Sequence, residues 1–74
     1  MKTIMTVAAA LELAAKIAVD KVDFDLLKDN LTSGDVEFAE KLGRTKLIAK
    51  AIEHDIAIPA VEGGVIDPNT GTVK

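Results

Sequence analysis

Few side chains in this sequence can do chemistry. His54 is the sole histidine and stands between Glu53 and Asp55. An imidazole beside carboxylates is a minimal acid–base or metal-binding group. A metal site needs further nitrogen or sulfur ligands, however, and the chain has no cysteine. The plainer expectation is an exposed helix end, where the imidazole complements the helix dipole. Asp20, Asp23, Asp25 and Asp29 form an acidic cluster without the Gly and closing Glu of a calcium loop, and they read as capping and solubilising groups. Gly63-Gly64 is not followed by a helix start with Lys and Ser/Thr, so it is no phosphate loop. The expectation is a protein that is not an enzyme and uses no cofactor or metal.

A basic group is more informative. Arg44, Thr45, Lys46 and Lys50 follow Gly43 with no acid between Arg44 and Lys50. The preceding run Phe38-Ala39-Glu40-Lys41-Leu42-Gly43-Arg44-Thr45 resembles the first helix and turn of the helix-turn-helix family: an apolar-Ala pair, then Leu-Gly, then a small hydroxyl residue. The resemblance spans about twenty residues. It implies a DNA-binding regulator in which Arg44, Thr45, Lys46 and Lys50 contact DNA and a following hairpin serves as a wing.

The composition points another way. Nine basic and twelve acidic residues leave a net charge of −3, which disfavours broad attachment to nucleic acid or anionic membrane. Phe24 and Phe38 are the only aromatics, too few for base stacking. With 74 residues there is material for one core, and such a domain buries only about 60% of its unfolded surface. No disulfide reinforces it, so partner contacts are an expected source of stability. A cytoplasmic setting is the default expectation. The opening residues 1–10 loosely imitate a secretory signal, but Glu12 and Lys16 interrupt the apolar run, which reads as a buried helix too short to span a bilayer.

The elements that must position these residues are mainly α: a small bundle of three to four helices with a C-terminal β-hairpin. Residues 1–58 form the helical domain, and residues 59–74 an extended segment and hairpin tail. The spacing predicts a first helix over residues 6–21, with Val7, Leu11, Ala14, Ala18 and Val22 on one face, widened by Ala10, Leu13 and Ile17. Glu12, Lys16 and Asp20 leave it only a thin charged stripe. Asp23 caps a short second helix that buries Phe24, Leu27 and Leu31. Asn30-Leu31-Thr32-Ser33-Gly34 ends it, with Gly34 as a left-handed C-cap and Thr or Ser capping the next helix.

Residues 35–55 are helical with a break at Gly43, after which Thr45 acts as the new cap. The first half is expected to bury Phe38, Ala39 and Leu42, the second Leu47, Ile48, Ala51 and Ile52. Ile56-Ala57-Ile58-Pro59-Ala60-Val61 reads as extended, since Pro lacks a donor and restricts its predecessor. Gly63-Gly64 is a flexible joint. Asp67-Pro68-Asn69-Thr70-Gly71 then carries the residues of a hairpin turn between Val65-Ile66 and Thr72-Val73, and resembles the Asp-Pro-x-Thr-Gly turn of designed mini-hairpins.

At 49% hydrophobic, with a first helix apolar around most of its circumference, the chain has more apolar surface than so small a core hides. The leading expectation is a non-enzymatic interaction or assembly protein. It would be a homo-oligomer or bind another protein, with no membrane involvement, through Val7, Leu11, Ala14, Ala18, Val65, Ile66 and Val73. Phage and mobile-element products of this size offer an analogy. DNA is the partner only under the helix-turn-helix resemblance.

Overall fold

Thr6 begins the first helix of the computed structural model, which describes residues 6–74. The beginning of the signal-like stretch, residues 1–5, lies outside the described residues. Thr6 Oγ1 accepts the Ala9 N–H at 3.1 Å and caps α1, Val7–Ala14. Ala10 and Ala14, one turn apart, are buried, and their small side chains let α1 lie close on the later helix it mainly packs against.

The helix stops well before residue 21. Lys16 and Ile17 reach back only to the Leu13 and Ala14 carbonyls, Ala18 is extended, and Val19–Lys21 make a single 3₁₀ turn. The tail of the chain explains the difference. Val61 N–H donates to the Lys21 carbonyl at 2.8 Å, Asp23 N–H donates to the Pro59 carbonyl at 2.9 Å, and Val22 pairs antiparallel with Ala60. Those bonds require extended backbone at residues 22 and 23, and β-branched Val19 and Val22 are weak helix formers anyway. Ile17 and Val22 still enter the core.

Helix α2, Phe24–Asp29, begins on the expected cap: Asp23 Oδ1 accepts the Leu26 N–H at 3.2 Å. Leu27 is fully buried, with Phe24 and Leu31 half-buried beside it. The end differs from expectation. Asn30 closes it in a right-handed conformation, its side-chain amide donating to the Leu26 carbonyl at 3.0 Å. Gly34 instead lies in the first turn of α3, Ser33–Leu42, which Thr32 caps by accepting the Asp35 N–H at 3.2 Å.

Gly43 breaks the helical region as predicted, and α4, Arg44–Glu53, follows at once without a side-chain cap from Thr45 or any other residue. At φ 105° and ψ 166° Gly43 occupies a region open almost only to glycine. A Cβ there would meet nothing within 4 Å, so conformation rather than crowding demands the glycine.

Helix α4 is the spine of the molecule. It buries Leu47, Ile48, Ala51 and Ile52 as the pattern predicts, and Ala49 as well. Helix α3 buries Ala39 alone. Phe38 and Leu42, expected in the core, are 56% and 51% exposed. The small Ala39 is the contact point that seats α3 on α4, and Phe38 and Leu42 project to one side of that line.

The strands are β1, Ile58–Pro59, and β2, Val65–Ile66, antiparallel with Ile58 opposite Ile66 and Pro59 opposite Val65. The ladder therefore closes across Gly63-Gly64, one turn earlier than the turn residues suggested. The Asp67–Gly71 turn does form: Asp67 N–H donates to the Thr72 carbonyl at 2.8 Å, Gly71 N–H to the Asp67 carbonyl at 2.7 Å, and Asn69 N–H to Asp67 Oδ1 at 2.9 Å. Beyond it only Ile66 and Val73 pair. At Gly71 (φ +75°) a Cβ would run into the Lys16 carbonyl oxygen, so this turn packs on the chain just past α1. Ile58, Ala60 and Ile66 join the same core cluster as the helices, and β1 straddles residues 58 and 59. Each large side chain fully enclosed there, Leu27, Ile48, Ile58 or Ile66, contributes roughly 1.5–3 kcal/mol relative to an exposed position. No helix among the described residues is long and apolar enough to cross a membrane.

Candidate functional site

The outward turn of Phe38 and Leu42 creates an apolar groove of about 290 Å³ between α1, α3 and α4. Val7 and Leu11 form one wall, Phe38 and Leu42 the other, and Ala10 and Ala49 help to line it. Phe38 and Leu42 share a wall because residues four apart on a helix stack on one side. The rim is basic. Lys50 Nζ lies 5.6 Å from the centroid of the Phe38 ring and 3.3 Å from Glu53 Oε2, one turn along α4. Lys46 is half-buried in the lining, and none of the described ion pairs includes it.

The residues expected to contact a partner divide into three groups. Val7 is 56% exposed in the groove, and Leu11 is half-buried beside it. Ala18, Val65 and Val73 are exposed but contribute nothing to the groove lining. Ala14 and Ile66 are each 1% exposed, enclosed by their own chain, so neither is available to a partner in this fold. Helical periodicity marks them as apolar but does not distinguish an internal neighbour from an external one. The sequence pattern does not reveal Phe38 and Leu42 as surface groups. Val36 is half-buried in α3 on the side away from them, and a ten-residue helix with apolar residues on opposed faces cannot bury them all against one neighbour.

The residues expected to contact DNA do not form one stripe. The Arg44 guanidinium lies 5.0 Å from the Phe24 ring centroid, against α2, while Lys46 and Lys50 border the apolar groove. Thr45 is exposed at the start of α4. Leu47 and Ile48, which a recognition helix would turn towards a duplex, are buried. Only Gly43 separates α3 from α4, against the roughly three- to four-residue turn of a helix-turn-helix.

His54 Nε2 lies 3.1 Å from Asp35 Oδ2, tying the end of α4 to the beginning of α3. Among the described residues no three His, Asp or Glu side chains are grouped to hold a metal, and no polar or charged side chain is buried. The Asp67 carboxyl is held below its ordinary value, first by the Asn69 backbone N–H and further by Lys74, which counter the opposing effect of desolvation. Asn69 belongs to the turn and Lys74 follows it by three residues, so this carboxylate supports local structure. Comparison with models of known families, with curated proteins and with solved structures brought no match.

Proposed function

We propose that this chain is a non-enzymatic interaction protein that takes a helix of a protein partner against the face built by α1, α3 and α4. One observation carries the reading: Val7, Phe38 and Leu42, three large apolar side chains each more than half exposed, gather around one groove. Amphipathic helices dock in such grooves through two or three apolar anchors spaced a turn apart. Alanines in the lining allow close approach, and the charges of Lys46, Lys50 and Glu53 at the rim fix orientation.

A photoreactive phenylalanine analogue at position 38 tests this. Irradiation in a lysate of source cells should give protein adducts that the same group at exposed Glu62 does not. Equal yields from both positions would sink the reading. A duplex-binding regulator finds less support, because Leu47 and Ile48 are buried and Arg44 is engaged with Phe24. It would require duplex affinity that falls steeply with salt and is abolished by K46E/K50E.

A further inference from the structure

We infer that Gly43 is a hinge through which two copies of this chain exchange halves, each lending its residues 6–42 to the α4 and strands of the other. The exchange is independent of whatever the groove takes up.

Helices α3 and α4 fold back on each other around that one residue. Lys50 lies over the Phe38 ring and His54 touches Asp35, so the end of α4 returns to the beginning of α3. Helix hairpins ordinarily spend about two to five residues on such a reversal. The backbone is already helical on both sides of the bend. Gly43 N–H donates to the Ala39 carbonyl at 2.8 Å, and the Gly43 carbonyl accepts the Leu47 N–H at 3.3 Å. Turning φ 105° and ψ 166° of this residue to helical values therefore joins α3 and α4 into one straight helix from Ser33 to Glu53. No proline interrupts that stretch.

The core is divided at the same place. Helices α1 and α3 pack chiefly on α4, and α2 on β1. The bonds from Asp23 to Pro59 and from Val61 to Lys21, and the Arg44–Phe24 contact, also cross from one half to the other. A straightened chain thus separates most of its own packing, and a second straightened copy restores it. The exchanged pair repeats these contacts between copies and differs from the monomer only at the hinge, which makes exchange a low-cost route to a dimer. Each groove would then take Val7, Phe38 and Leu42 from one copy and Ala49 and Lys50 from the other. Glycine accepts the bent conformation and is a poor residue inside a helix, so Gly43 keeps the parent chiefly closed.

The test refolds the full-length parent and Gly43→Ala at ~10 μM and at ~1 mM and weighs them by sedimentation equilibrium. In both backgrounds Asp35→Cys/His54→Cys, joined by a short bismaleimide, reports whose α3 lies on each α4, since the chain has no other cysteine. The parent should be a 7.8 kDa monomer with links inside one chain when dilute, and should show links between chains after refolding at ~1 mM. Gly43→Ala is strained when bent and eased when straight, in both copies, so the dissociation constant should fall at least ~1000-fold. Its Tm, below the parent's in dilute solution, should climb with concentration. A D-alanine at position 43 favours positive φ and should keep every link within one chain. A parent without links between chains at ~1 mM overturns the inference. So does Gly43→Ala that stays monomeric or unfolded there, because exchange should restore its fold. A dimer whose links remain within one chain, or exchange undiminished by the D-residue, overturns it as well.

Discussion

Helices α3 and α4 are each ten residues long and meet at Gly43, yet they stand in opposite relations to solvent. Helix α4 buries five side chains and is packed by both α1 and α3. Helix α3 buries one, and its packing is chiefly on α4. Phe38 and Leu42 are as apolar as Leu47 and Ile48, so hydrophobicity does not decide which of them meets water. The number of neighbours does. A helix covered from two sides spends its apolar residues on the core, whereas one seated on a single neighbour through a small residue keeps a second apolar face for something outside the chain.

The sharpest way to break this contrast is to truncate one residue on each helix. Ile48→Ala empties a fully enclosed position and should cost about 2–5 kcal/mol. A domain of this size has only a few kcal/mol to spare, so a large unfolded fraction at room temperature is expected. Phe38→Ala should cost less than about 1 kcal/mol, mostly the exposed contact with Lys50, while association through the groove is lost. Urea denaturation of the two variants reads both effects. Comparable losses of stability would mean that α3 is as much a part of the core as α4.

Gly43 comes next, because it allows two helices of different exposure to adjoin. Gly43→Ala leaves the space unoccupied but forces an L-residue into a φ of 105°, at a cost of roughly 1–3 kcal/mol. Relief of that strain would favour one continuous helix, which would pull α3 off α4 and expose Ala39. Thermal melting should fall, and hydrogen exchange should rise in α3 before α4. A variant as stable as the parent would show that the junction is not held in the glycine-only conformation.

These differences also explain which parts of the fold are legible in the sequence. The buried stripe of α4 is legible because Leu47, Ile48, Ala51 and Ile52 share one side of a helix whose ends are marked locally. The break at Gly43 and the cap at Asp23 are local chemistry too. The end of α1 is not legible, since it is set by hydrogen bonds from the chain around Pro59 and Val61, remote in sequence. The same holds for the hairpin: Asp67, Pro68 and Gly71 announce a turn, but not that Val65-Ile66 pairs mainly with Ile58-Pro59. Half of the groove was visible as Val7 and Leu11. The other half, Phe38 and Leu42, reads as interior in the sequence because periodicity shows that a face is apolar without showing what covers it.

The smallest expected effect concerns how the two helices begin. Helix α3 starts with a side-chain cap from Thr32, whereas α4 starts at Gly43 with none. Thr32→Ala frees the Asp35 N–H and should cost about 1 kcal/mol, and Thr32→Ser should restore most of it. For a chain of this length that corresponds to a fall of about 4–8 °C in Tm. Hydrogen exchange should quicken at residues 33–36, while the amides of Leu47 to Ile52 slow or quicken only with global stability. Phe38 and Leu42 lie beyond the frayed turn, so crosslinking from position 38 should not change. If exchange instead rises equally through α4, the two helices open as one unit, and α3 is no separately held cover with a face to spare.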